Sequence, residues 1–262
     1  MLNDTFINSK FKLMNLRLLV SILLTSVTAF SVAQNATEIV QKADEMMRGE
    51  KSSYSEMTMR IVRPKWERLL SFKSWSKGID FSMVYITAPA REKGQAFLKI
   101  GREMWSWNPT INRTVKLPPS MLSQGWMGSD FTNDDLLNQR SIVVDYNHTI
   151  AGEEQIEGWD SWRITLTPKP DAPVVWGKIT LWISKKHFLI LKSEYYDEEQ
   201  LLVKTELAHS IKTIDGRAVP TIYELIPADE PGNTTIVELN TIRFNIDISD
   251  SFFSLRNLTQ VK

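Results

Sequence analysis

Cysteine is absent from this 262-residue chain, which excludes disulfides, thiolate-held zinc, a thiol nucleophile and the cysteine that a lipid anchor of its own would need. Histidine is scarce: His148, His187 and His209 stand on separate segments, without the HExxH or HxH spacing of a metal site. Neither charge sign is in excess, with 31 basic and 31 acidic side chains. The only basic run is the SKK of residues 184–186, so the electrostatic footprint of a nucleic-acid binder is missing. There is no G-x-S-x-G elbow and no phosphate-binding glycine loop, and the S-x-x-K string Ser74–Lys77 falls at a strand end without its companion motifs. The acidic pairs Glu153–Glu154 and Glu198–Glu199 sit in turn segments, and neighbours on a strand point to opposite faces, which disfavours the facing carboxylates of a glycosidase. The expectation is a protein that is not an enzyme, with no metal and no cofactor.

Long apolar runs are also lacking, with one exception near the start. Lys10, Lys12 and Arg17 precede the run Leu18–Phe30, which is followed by Ser31-Val32-Ala33. A basic region, a short apolar core and small residues three and one before the cut are the pattern of a secretory signal peptide. Cleavage is expected after Ala33, with translation from Met1 or from Met14, leaving residues 34–262 as the mature, exported chain. The run is short for a membrane span, and the alternative to a cleaved signal is a fixed anchor beginning near Leu18.

What is present is mostly alternation. TEIVQKADEMMRG reads as a helix with Thr37 as its cap, Ile39, Val40, Ala43, Met46 and Met47 on one face and Gly49 as the stop. From SEMTMRIVRP onward the period becomes two, and short strands such as RLLSFKSW, DFSMVYIT, QAFLKI, MWSWN and NRTVKL alternate with turns. The alternation resumes at SIVVDYNHTI and runs on to TTIVELNTIRFNI near the C-terminus. Roughly a dozen strands at such spacing predict an all-β sandwich or barrel of antiparallel hairpins. Several strands are apolar on both faces: Trp176 and Trp182 read as sharing one side of VWGKITLWIS, with Ile179, Leu181 and Ile183 on the other. A sheet with one wet face alternates more cleanly, so either one face packs on a core or a helix while the other lines a partly enclosed apolar space, or the chain has a thick core with edge aromatics. Methionine suits such a space because it repacks around varied guests.

The interruption is LPPSMLSQGWMGSDFTNDDLLNQ, residues 117–139. Asp130, Thr132 and Asp134 mimic the first ligands of a calcium loop, but Asp135 and Ser141 occupy the places of its glycine and its last glutamate. The same residues suit a helix start, with Thr132 as cap, Asp135 completing a capping box and Phe131 stapling onto Leu136. Replacing Asp134 or Asp135 by Asn would then cost about 0.3–1 kcal/mol each.

Taken together, MGSDFTNDDL, GEEQIEGWDSWRITLTPKP, KITLWISKKHFLILKSEYYDEEQLLVKT, IKTIDGRAVPT and DSFFSLRNL, in this order over about residues 45–260, resemble the LolA-like family of bacterial outer-membrane lipoprotein-sorting proteins. The subfamily resembled is a larger one, distinct from the best-studied periplasmic carrier. The resemblance implies an unclosed antiparallel β-barrel: a strongly curved sheet of about 11–13 strands, with an N-terminal helix and a helical insertion covering its concave apolar face. It implies periplasmic binding of acyl chains from lipoproteins or other lipids, moved without chemistry between an inner-membrane transporter and an outer-membrane acceptor, by a single domain acting as a monomer. Under that fold, strand alternation nominates Met57, Met59, Ile61, Leu70, Phe72, Met83, Tyr85, Phe97, Trp105 and Trp107 as the cavity lining, although either face of each strand can be the inner one. Leu117, Met121, Leu122, Trp126, Met127, Phe131 and Leu136 are nominated as the apolar underside of a lid. The arginine that holds the family's main carrier closed has no assignable counterpart among Arg60, Arg63, Arg68 and Arg113. The alternative roles are an envelope sensor or an accessory of a lipid-export pump using the same cavity, or a glycan-binding β protein with tryptophans in an exposed row.

Overall fold

The computed structural model describes residues 35–262 apart from 49–50, 122–123, 134 and 136–140; the expected signal peptide, the helix-stop Gly49, and Asp134, Leu122 and Leu136 of the insertion lie outside the described residues. The chain opens with α1 (Ala36–Arg48) and continues as β1 (Ser52–Arg63), β2 (Trp66–Lys77), β3 (Phe81–Ala88), β4 (Ala96–Ile100), β5 (Glu103–Asn108) and β6 (Arg113–Lys116). After the insertion come a helical turn α2 (Ser141–Val144), then β7 (Tyr146–Ile156), β8 (Trp159–Pro168), β9 (Lys178–Ser184), β10 (Ile190–Tyr196), β11 (Leu202–Ile214), β12 (Arg217–Pro227) and β13 (Thr234–Phe244), and the turn α3 (Leu255–Leu258).

All the described strands belong to one 13-stranded sheet in the order β6-β5-β4-β3-β2-β1-β13-β12-β11-β10-β9-β8-β7. Every pairing is antiparallel, so the sheet is two meanders, β1 to β6 and β7 to β13, sewn together along β1 and β13. The edges β6 and β7 are not paired with each other, so the barrel is unclosed. Arg113 and Lys116 on the fully exposed β6 charge one edge against pairing with a second chain. Because β6 ends at Lys116 and β7 begins at Tyr146, the insertion must run from one edge of the sheet to the other.

Two local expectations change. The stretch SIVVDYNHTI does not run as one strand: residues 141–144 form α2, whose Ile142 and Val143 pack on the apolar cluster under α1, so tertiary burial overrides the β-preference of that triplet. The first helix starts at Ala36, which puts Thr37 inside its first turn rather than at the cap. Thr37 Oγ1 lies 3.0 Å from His148 Nδ1 on β7, and His148 also bonds the Ile142 carbonyl. Burial pushes the His148 imidazole below its ordinary pKa, with Lys169 adding to the effect. Its role is to join α1, α2 and β7.

Among the described residues, three apolar clusters form the core. In one, Ile39, Val40 and Ala43 of α1 bury against Tyr146, Ile164, Leu166, Ile179, Leu181 and Ile183 of the second meander. The next sets Met59, Ile61, Leu70, Phe72, Ile86 and Val237 around Trp126 of the insertion. In the last, Met83, Ala96 and Leu98 lie under Phe253 and Leu258 of the C-terminal segment. Directly opposed residues on neighbouring strands share a face. Val84 faces Phe97 while Met83 faces Leu98, so the insertion and the C-terminal segment cover opposite faces of β3 and β4. Both faces of this half are therefore greasy for separate reasons.

Candidate functional site

A cavity of about 350 Å³ opens on the face that carries α1 and the insertion. Its walls come from strands as far apart as Lys99 on β4 and Leu181 on β9, which are eight strand spacings from each other in the sheet. On a flat sheet that distance would be roughly 38 Å, so a single cavity touching both requires the sheet to curl around it. Met57 and Met59 of β1, Phe72 of β2 and Val84 of β3 supply one wall; Trp176, Leu181, Leu191, Val219, Tyr223 and Leu239 supply the other; Met46 and Met47 of α1 and Phe131 of the insertion close in from above.

The nominated lining residues divide into groups. Met57, Met59 and Phe72 line the cavity. Ile61, Leu70 and Phe97 lie on the same face farther along, in the cluster around Trp126. Met83, Tyr85, Trp105 and Trp107 lie on the opposite face, in the cluster under the C-terminal segment. Of the nominated lid, Trp126 is buried, Met127 and Phe131 pack beside it, Leu117 is half-buried and Met121 is exposed. The Trp126 indole stands edge-on to Phe72 (5.4 Å between centroids, 78°) and to Phe97 (5.5 Å, 67°), the geometry that aromatic quadrupoles favour. Among the described residues its buried Nε1 has no hydrogen-bond partner.

The second meander's contribution was missed because β9 misleads. Trp176 and Trp182 do not share a side: Trp176 packs with Ile179 and Leu181 at the cavity, whereas the Trp182 indole donates to Glu154 Oε2 at 2.8 Å on the other face. Alternation fails at Gly177, just before the strand. There the backbone passes so close to Asp197 that an added Cβ would lie 2.2 Å from the Asp197 carbonyl oxygen. The available signal was the glycine between the tryptophan and the strand.

The aspartates of the insertion are structural ties. Asp130 receives both terminal nitrogens of Arg63, at 2.9 and 3.0 Å, and the Thr235 hydroxyl at 2.6 Å. Such a bidentate pair fixes orientation as well as charge. The Thr132 N–H donates to Asp135 Oδ2 at 2.7 Å and the Asp135 N–H donates to Thr132 Oγ1 at 3.0 Å, a reciprocal capping box. Asp135 also forms an ion pair with Lys204, whose side chain is only 4% exposed. Lys204 lies under the rings of Tyr195 (4.7 Å) and Trp176 (4.8 Å). Two residues along β11, Glu206 accepts a hydrogen bond from Tyr195 Oη at 3.2 Å. Burial raises the Glu206 carboxyl above its ordinary value; Lys204 opposes this and Asp135 adds to it. Arg63 belongs to the first meander and Lys204 to the second, so the insertion is tied to both.

An unclosed antiparallel sheet curled around an apolar cavity, with a helix and a tied insertion on the same face, is the LolA-like architecture. A LolA superfamily protein from Nitrosomonas europaea is 28% identical, with a TM-score of 0.74 over 86% of this chain and 100% of that one. A DUF1329 family protein from Desulfovibrio piger is 25% identical, with a TM-score of 0.79 over 85% of this chain and 97% of that one. A putative outer membrane lipoprotein-sorting protein domain from Vibrio parahaemolyticus shares the fold at 21% identity, with a TM-score of 0.75 over 86% of this chain and 98% of that one. No curated protein matches the sequence. A family model described as "-like: Uncharacterized protein" matches residues 78–260, more than half of the chain, and the chain belongs to that family.

Proposed function

We propose that the chain is a periplasmic, non-enzymatic carrier that shields the acyl chains of lipoproteins or other lipids on their way between the inner and outer membranes. The observation that supports it is the cavity: about 350 Å³, within the range of small-molecule sites, walled by Met57, Met59, Phe72, Leu181, Val219 and Leu239 and roofed by methionines. Burying a methylene is worth about 0.8 kcal/mol, so a chain of some fourteen carbons supplies on the order of 10 kcal/mol before ordering costs. That is enough for a soluble protein to hold the chain without any covalent step. Release needs a receiver of higher affinity or a displacement of the insertion, and the Arg63–Asp130 and Lys204–Asp135 ties are what such a displacement would break. On this reading the leader is removed after Ala33, residues 34–262 are one lipid-binding domain, an inner-membrane transporter loads it and an outer-membrane acceptor empties it.

Native mass spectrometry of the mature protein from its own periplasm tests the reading. Co-purifying lipid or lipopeptide is expected, as is its loss in folded Met59→Asp and Phe72→Asp variants. A wild-type protein that arrives empty and takes up no acyl ligand from lipid vesicles would sink the carrier role.

A further inference from the structure

The cavity wall is graded along the strands. Across β1 and β2, Ser53 faces Ser76 and Ser55 faces Ser74; Ser76 also faces Ser82 on β3, and Ser82 faces Lys99 on β4. These pairings put the serines in one continuous patch on the face that lines the cavity. Farther along the same strands the same face carries Met57, Met59, Phe72 and Val84. On β1 to β3, one end of the wall is hydroxyl and the other is hydrocarbon. From Ser53 to Met59 the strand covers roughly 20 Å at 3.3 Å per residue, enough for a polar head and a stretch of chain side by side.

A purely apolar guest does not account for this composition. Removing a hydroxyl from water without a partner costs about 1–3 kcal/mol, and buried polar groups are almost always partnered by protein, water or ligand. Ser53 Oγ and Ser76 Oγ bond each other at 2.7 Å. Among the described residues, the Ser55, Ser74 and Ser82 hydroxyls have no protein partner, and all three residues line the cavity. Each can donate once and accept twice, a set that matches carbonyl oxygens as well as N–H and O–H groups. Lys99 at the margin is 6% exposed and donates to the Ile79 carbonyl at 3.0 Å.

We propose that this serine patch is a head-group subsite: it holds the uncharged ester, amide or hydroxyl head of an amphiphile whose chain lies on Met57, Met59 and Phe72. The preferred ligand is then a lipid with a hydrogen-bonding head rather than a bare hydrocarbon or a free carboxylate. The inference rests on the acyl-carrier reading above.

The test uses the mature chain loaded with the apolar dye N-phenyl-1-naphthylamine, displaced by twelve-carbon competitors: dodecane, monododecanoylglycerol and dodecanoate. Monododecanoylglycerol should compete at least about tenfold better than dodecane, the equivalent of one or two net hydrogen bonds. Ser55→Ala/Ser74→Ala/Ser82→Ala should erase that preference by weakening the glyceride, while dodecane, no longer stripping hydroxyls of water, displaces the dye at least as well as from wild type. The single Ser74→Ala, expected to lose a few-fold, serves if the triple variant does not melt cooperatively. Equal competition by dodecane and the glyceride in wild type, a preference that survives the serine variants, or dodecanoate outcompeting the glyceride would each overturn the subsite while leaving the carrier intact. Failure of every competitor to displace the dye, or of the dye to bind, would instead remove the carrier reading itself.

Discussion

Asp135→Asn is expected to destabilise the protein by about 3 kcal/mol, because the lysine it leaves behind has nowhere to go. Lys204 is 4% exposed and Asp135 14%, and breaking a buried pair by removing one partner costs about 3–5 kcal/mol. Three features hold the loss near the lower figure. The Tyr195 and Trp176 rings stay 4.7 and 4.8 Å from the ammonium and Glu206 remains nearby as a second carboxyl. The asparagine side chain also still accepts the Thr132 N–H, so little capping energy is lost. At about 2–4 °C per kcal/mol for a domain of this size, the melting temperature should fall by about 6–12 °C. Thermal and urea denaturation of Asp135→Asn, Lys204→Met and the pair Lys204→Met/Asp135→Leu measures it. The double variant should recover most of the loss, since an apolar replacement of a buried pair is often neutral. A single variant within about 0.5 kcal/mol of wild type would refute the idea that Lys204 depends on the insertion for its partner.

Other outcomes follow from the same site. Trp126→Ala should cost about 3–5 kcal/mol, as large aromatic truncations in cores do, whereas Trp126→Phe should be mild because the indole Nε1 has no partner among the described residues; equal losses in urea midpoints would contradict this. Burial raises the Glu206 pKa, so the native state holds that proton more tightly than the unfolded chain. The resulting stabilisation is complete below the ordinary value of 4.5 and disappears as pH rises through the raised one. The melting temperature of Glu206→Gln relative to wild type should therefore climb between acid and neutral pH, and a flat difference would count against it.

The architecture was legible because period-two patterning and regular turns survive in almost every strand, and because the one long break fell where the chain must cross between sheet edges. Face assignment was not. On β3, Met83 and Tyr85 are as apolar as Val84 and Ile86, and what separates them is a partner far off in the chain: Phe253 and Leu258 for Met83, Trp126 for Ile86. A local pattern carries no information about such partners. Capping chemistry read correctly at Thr132 and Asp135, since its atoms lie three residues apart. Its energetic weight did not, because Lys204 is 69 residues away from Asp135. An estimate of 0.3–1 kcal/mol from the helix start alone becomes the larger figure above once that buried lysine is its partner.

The seam between β1 and β13 bears on how the molecule assembles. Within each meander, pairing needs only hairpins, while the seam and its continuation bring together residues such as Ser52 and Ile246, just past β13 and 194 positions away. Closing so long a loop costs entropy before any contact repays it, and topologies dominated by distant pairing fold slowly. During that interval both seam strands present open backbone edges, and β1 also presents Met57, Met59 and Ile61 to solvent. A newly made chain is thus most vulnerable to joining a neighbour along the very strands that later form the middle of its sheet.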